Sequence, residues 1–200
     1  MQYHHGNLKT KLLDCAYDWI SQNGIDHISL RNIAKIATVS QTAPYRHFNS
    51  KEHLLADVAT IGFDNLSREM SKNKATNNPE NDLVICGVAY IEFGLNNEHI
   101  IDLMFNYPIK KSDFPELLKS ADRAFGMLLK RLDALPQGNT KSTPLHSMSM
   151  HAYVHGLLAI IQMNQRIDKA AETAFYKASS TVKGNLEKML MAFVKNLDFS

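Results

Sequence analysis

Only two cysteines, Cys15 and Cys86, occur in the 200 residues. That is too few for a disulfide scaffold and fits free thiols in a reducing compartment, so a cytoplasmic location is expected. No stretch approaches the run of about 20 apolar residues that a membrane helix needs, and no membrane partner is expected. The N-terminal Met1-Gln-Tyr-His-His-Gly has no apolar signal core. Alternating β-branched runs and hairpin signals are missing as well, which argues against sheets. The marks of common catalysts are missing too: there is no glycine-rich phosphate loop, no Gly-x-Ser-x-Gly elbow and no His-Glu-x-x-His. Both thiols sit in apolar helical patterns, poor settings for a reactive thiolate. Neither an enzyme nor a bound cofactor is expected.

What is present is ordinary globular composition, 44% hydrophobic and 21% charged, with enough chain at 22.6 kDa for a sizeable core. The net charge of +2 hides an asymmetry. Residues 1–51 hold Lys9, Lys11, Arg31, Lys35, Arg46 and Lys51 against Asp14, Asp18 and Asp26, a balance of +3. A basic end on a near-neutral body suits a polyanion, although a solvated surface gives the same count.

Apolar residues recur at three and four almost throughout, so the fold class is all-α. Asn7 can cap a first helix carrying Leu12, Ala16 and Ile20, and Gly24 stops it. Ser29 caps a short second helix with Leu30, Ile33, Ala34 and Ala37 on one face. After the turn Thr38-Val39-Ser40, Ser40 caps a third helix to about Phe48, and Asn49 or Ser50 caps a fourth. The polar tract beginning at Ser71 reads as a loop. Further helices are predicted at about 82–95, 97–106 and 113–134, the last ending before Pro136-Gln-Gly-Asn, and then at about 143–164 and 168–197.

Two short helices, a tight turn and a capped third helix make a helix-turn-helix, whose last helix enters the major groove of DNA. Gln41, Thr42 and Ala43, at its front, are small or amide-bearing and suit base edges and thymine methyls. Arg46, His47 and Lys51 suit phosphates, which add affinity without sequence choice. Pro44, as the fourth helical residue, removes only the first intrahelical bond. A plain bundle of short amphipathic helices would show the same apolar spacing.

Several tracts carry a resemblance: Leu13-Asp-Cys-Ala, Gly24, Ile28-Ser-Leu-Arg-Asn-Ile-Ala, Val39-Ser and Tyr45-Arg-His-Phe-Asn-Ser-Lys-Glu-His-Leu-Leu. From about Tyr3 to Leu66 the chain resembles the N-terminal domain of the TetR family of bacterial transcriptional regulators. Tyr-His-His-Gly-Asn-Leu, Ala-Pro-Tyr-Arg-His-Phe and Val154-His155-Gly156-Leu157 are similar to a subgroup whose C-terminal region is called the WHG domain. In place of that subgroup's tryptophan stands His151, and Thr38 stands where the family's turn usually has glycine. The resemblance implies base-edge roles for Arg31, Gln41 and Thr42, with Ala43 at a methyl. It implies phosphate contacts for Tyr45, His47 and Lys51, and for Ser29 a cap that also touches the DNA backbone.

The resemblance also implies a homodimer on a palindromic operator and release by a small-molecule effector, making the chain a repressor. Residues 1–50 would read DNA, 51–70 would connect, and 71–200 would bind effector and dimerise. Apolar stripes on the last two helices, Val154, Leu158 and Ile161 on one and Val182, Leu186, Leu190 and Phe193 on the other, suit a four-helix dimer seam or a monomer core. Tyr90, Phe93, Met104, Phe105, Tyr107, Phe125 and Met150, with His151 and His155, are the candidate effector lining, although packed core uses the same residues. His151 and His155 share a helical face but lack a third ligand nearby, so no metal site is expected. The rival class is a helical ligand-binding or interaction protein without DNA activity. Whether Lys9 and Lys11 touch DNA is left open by the sequence.

Overall fold

The computed structural model describes residues 5–72, 76–135, 144–167 and 173–197, and their regular structure is helical throughout. The helices are α1 (His5–Asn23), α2 (Leu30–Ile36), α3 (Lys51–Ser71), α4 (Pro79–Asn96), α5 (Glu98–Phe105), α6 (Pro115–Leu132), α7 (Pro144–Arg166), α8 (Ala174–Ser179) and α9 (Leu186–Lys195). The tract Pro136-Gln-Gly-Asn and the expected start of a helix at 168 lie outside the described residues. The chain forms two compact units, residues 1–65 with 97–123, and residues 66–96 with 124–200.

In the first unit, Leu12, Ala16 and Ile20 of α1 are fully buried, as are Ile33 of α2, Phe48, and Leu54 and Leu55 of α3. Local chemistry sets the boundaries. Gly24 stops α1 at φ +72°, its N–H donating to the Ile20 carbonyl at 2.9 Å. Asn7, expected as a cap, instead lies inside α1, which begins at His5. The Ser29 hydroxyl accepts the Asn32 N–H at 3.1 Å and caps α2. Ser50 caps α3 by accepting the His53 N–H at 3.1 Å, and His53 Nδ1 accepts the Asn49 N–H at 3.3 Å in return.

The end of α2 is a Schellman motif. The Val39 N–H donates to the Ala34 carbonyl at 3.0 Å and the Thr38 N–H to the Lys35 carbonyl at 3.1 Å. This geometry puts Thr38 at φ +54°, left-handed backbone that a β-branched residue adopts with strain. Left-handed backbone costs an L-residue about 1–2 kcal/mol, and glycine loses about 0.5–1 kcal/mol to its own entropy. Thr38→Gly is therefore expected to stabilise the protein by about 0.5–1 kcal/mol, read as a raised urea midpoint with unchanged slope. A lowered midpoint would show that the threonine is not strained.

In the second unit α4 packs against α7 and α9. A Cβ added at Gly94 would collide with the end of the Leu158 side chain, which would have to shift, so glycine suits this approach of α4 to α7. The apolar stripes Val154, Leu158 and Ile161 of α7, and Leu186, Leu190 and Val194 of α9, are buried in this unit. The single helix expected over 168–197 is a correction: α8 and α9 are separated by a 3-10 turn, Lys183–Asn185. Ser180 and Thr181 donate their hydroxyls to the Lys177 and Ala178 carbonyls, and backbone bonds tighten to Thr181→Ala178 and Val182→Ser179. Gly184 follows with low helix propensity, and the α-helical ladder gives way.

Candidate nucleic-acid interface

The segment between α2 and α3 is not the α-helix expected from Ser40 to Phe48. It is a turn followed by a 3-10 helix, Pro44–Arg46. Pro44 has no N–H to give the Ser40 carbonyl, which accepts from the Ala43 N–H at 3.0 Å instead. Arg46 N–H then bonds the Ala43 carbonyl at 3.2 Å, so the winding continues at three-residue spacing. Ser40 does not cap the segment in the expected way; its hydroxyl lies 3.3 Å from that of Thr42.

Gln41 and Thr42 are exposed at the front of this segment, while Ala43 is only 8% exposed. Ala43, expected at a thymine methyl, is buried here, as is Pro44 beside it. Tyr45 is 52% exposed, and Arg46 is exposed next to it. His47 is half-buried, with its ring 6.4 Å from that of Phe48. Arg31 projects from α2 exposed, and half-buried Ser29 is occupied as the cap. Lys51 is exposed at the start of α3 and its ammonium donates to the Ile25 carbonyl at 3.4 Å. The unit thus gathers amide, hydroxyl, phenol, imidazole and cationic groups along residues 40–51 over a wholly buried Phe48.

Lys9 has another occupation. Its ammonium pairs with Asp57 at 2.8 Å and lies 5.7 Å over the Phe48 ring. His53, which apolar spacing does not single out, also faces Phe48, with ring centroids 5.8 Å apart at 82°. The serine three residues ahead of it is the available signal, since a hydroxyl at that spacing caps the helix by accepting the His53 N–H.

The candidate effector lining divides between the units. Met104, Phe105 and Tyr107 belong to the first, where Phe105 meets Phe63 edge-on at 5.4 Å and Met104 is buried. Tyr90, Phe93, Phe125, Met150, His151 and His155 belong to the second. Phe93 and Met150 are buried there. The Tyr90 hydroxyl and His155 Nδ1 are 2.8 Å apart, and burial holds the phenol far above its ordinary pKa. His151 meets Tyr90 and Phe125 edge-on at 5.9 and 6.2 Å. The His151 and His155 rings stack at 5.7 Å and 21°. Near-parallel rings at that separation do not aim their nitrogens at one point, and no group of three His, Cys, Asp or Glu among the described residues converges for a metal.

Burial pushes the pKa of both imidazoles below the ordinary 6.5, and at His151 the neighbouring His155 adds to the effect. Below 6.5 the unfolded chain therefore takes up more protons than the folded one, so stability falls on acidification and is kept above that pH. Thermal melts from about pH 7.5 to about pH 5 should show this loss, and His151→Gln should flatten it. An unchanged pH profile in the variant would refute the assignment. Cys86 is buried, and burial raises its thiol pKa.

Among the described residues no helix is long and apolar enough to cross a membrane. Residues 12–58 match the family described as bacterial regulatory proteins, tetR family. A protein of unknown function from Rhodococcus sp. RHA1 is similar in structure at a TM-score of 0.72 and 20% identity, over 96% of this chain and 99% of that one. PfmR, a TetR family transcriptional regulator from Thermus thermophilus, has TM-score 0.58 and 15% identity, over 88% of this chain and 97% of its own. A TetR transcriptional regulator from Rhodococcus sp. RHA1 has TM-score 0.56 and 20% identity, over 94% and 97%. At these identities the likeness is one of fold. No curated protein matches the sequence.

Proposed function

Residues 12–58 match the family described as bacterial regulatory proteins, tetR family, and from that match we propose that the chain is a member of it, a dimeric repressor released by a small effector. The observation carrying the DNA reading is the exposed pair Gln41 and Thr42 on a turn flanked by exposed Arg46 and Lys51. An amide and a small side chain can approach base edges, while the cations and the Tyr45 phenol meet phosphates on either side. Arg31 would add a base-edge contact from α2, and Ser29 and His47 would touch the backbone.

A dimer sharpens this reading, because two such segments about 34–36 Å apart read half-sites one helical turn apart. The stripes buried in the second unit leave another face of α7 for a partner. Leu145, Met148 and Met163 are exposed along it at 72%, 52% and 51%. Between them Ala152 and Ala159 are exposed, and a Cβ at Gly156 would meet nothing within 4 Å. Pairing of this face with its copy, alongside the last helix, would cover the apolar ends and bring the backbones close at the centre.

The effector reading rests on the cluster of Tyr90, Phe125, His151 and His155, polar points set among buried apolar residues. An effector acts through its differential affinity for the DNA-competent and incompetent arrangements of the dimer. A selection from random duplex DNA at two salt concentrations tests the core of the proposal. A palindrome should be enriched, and its affinity should fall steeply with salt if about six phosphates are contacted per dimer. No enrichment with flat salt dependence would favour the rival, a helical binding protein without DNA activity.

A further inference from the structure

In a capping box the residue three past the cap is glutamate or glutamine, reaching back to the backbone N–H of the cap. At the start of α3 that place is taken by His53. The Ser50 hydroxyl accepts its N–H at 3.1 Å, and its Nδ1 accepts the Asn49 N–H at 3.3 Å, one residue before the cap. An imidazole nitrogen accepts only while it carries no proton, and imidazole is the side chain that changes charge between about pH 5 and 8. With Nδ1 accepting, the proton of the neutral ring sits on Nε2, which lies 4.0 Å from Asp57 Oδ1. The ring also meets Phe48 and Phe114, with centroids at 5.8 and 6.1 Å. Among the described residues, the charged groups beside it are Asp57 on its own helix and Lys9 of α1, whose ammonium pairs with the other Asp57 oxygen at 2.8 Å. A second proton changes this arrangement in two ways. At Nδ1 it sets one N–H against another where a hydrogen bond stood, and the new positive charge is drawn toward the Asp57 carboxylate.

We infer that neutral His53 is the positioning residue that fixes the end of the 40–49 segment on α3, and that its protonation loosens the segment and weakens DNA binding. This role rests on residues 40–48 being the groove-facing segment, and it adds a residue that acts on them from behind. His53 works through the Asn49 backbone and the Phe48 ring. Glutamine at the same place would hold Asn49 without responding to acid.

Affinity for the palindrome obtained by selection is measured by fluorescence anisotropy from about pH 8 to about pH 5.5, at fixed salt and well below the melting temperature. Loss of one net hydrogen bond per subunit should weaken the parent in acid by up to about fivefold, or about thirtyfold for a dimer. His53→Gln keeps an acceptor and does not titrate, so it should match the parent at the alkaline end and lose less affinity in acid. His53→Ala should bind more weakly than both at the alkaline end and then run parallel to His53→Gln. The three proteins share His47, His151 and His155, so the difference between profiles isolates His53. Parallel profiles for the parent and His53→Gln, or parent-like binding by His53→Ala at the alkaline end, overturn the inference. Tighter binding of the parent in acid, lost in His53→Gln, also overturns it, because His53 would then be a phosphate contact. The Asn49 amide resonance in DNA-free protein separates this result from the groove reading: it should move with pH in the parent and stay fixed in His53→Gln. An Asn49 amide that ignores pH in the parent overturns the switch whatever the DNA result. An amide that moves, with no sequence selected, overturns the groove reading and the positioning role with it.

Discussion

Gln41→Ala is expected to abolish discrimination at one base pair in each half-site while leaving the fold unchanged. Gln41 is exposed, so its loss removes no packing. A glutamine amide that bonds adenine at both N6 and N7 discriminates by about 1–3 kcal/mol. The half-sites of a palindrome are separate, so the losses add to about 2–6 kcal/mol, some thirtyfold to more than ten-thousandfold in affinity. Non-specific binding and its salt slope should be unchanged, since no phosphate contact is touched. Lys51→Ala provides the contrast. It should weaken all sequences alike and reduce the salt slope by about one unit per subunit. Fluorescence anisotropy on cognate and scrambled duplexes at several salt concentrations distinguishes the two patterns. If Gln41→Ala and Lys51→Ala behave identically, the division of the segment into base-reading and phosphate-binding parts is wrong.

The site is legible in the sequence where a residue's role depends on its near neighbours. Ser29 as a cap and Gly24 as a stop both follow from the local sequence, and the structure shows the bond or backbone each implies. The segment over residues 40–48 is legible in position but not in form. Pro44 does remove one bond, but the Ser40 carbonyl finds another donor one residue earlier, and the whole segment tightens to a 3-10 winding. Ala43 is buried at the start of that winding, which no apolar pattern over so few residues could reveal. Thr38, standing where the family's turn usually has glycine, does adopt left-handed backbone.

In the body the limits are different. The stripe on α7 is visible in the sequence, but periodicity alone cannot say whether an apolar face meets the same chain or a copy. Here Val154 and Leu158 are buried within the second unit, beside glycines of α4. Residue type suggests the candidate lining, and type does not encode which unit a side chain joins. Met104, Phe105 and Tyr107 fall in one and the Tyr90–His155 pair in the other. The break between α8 and α9 depends on hydroxyls turning onto their own backbone, a competition that Ser180 and Thr181 enter but that apolar spacing does not register.

Phe48→Ala should act through the fold alone, with a large effect. Its ring is wholly buried, with the edges of His47 and His53 against it and the Lys9 ammonium 5.7 Å above. Truncating such a phenylalanine costs about 3–5 kcal/mol, a large share of the roughly 5–15 kcal/mol that holds a folded protein together. At about 2–4 °C per kcal/mol for a chain of this length, the melting temperature should fall by some 6–20 °C. DNA binding should weaken for cognate and scrambled duplexes together, because the segment that carries Gln41, Arg46 and Lys51 loses its support. Phe48→Leu keeps most of the apolar volume and should recover much of both losses. The comparison with Gln41→Ala separates chemistry from fold: one variant changes sequence preference at constant stability, the other stability at constant preference. A melting temperature within about 2 °C of the parent would mean that Phe48 does not support the reading segment, and that its burial contributes less than its contacts imply.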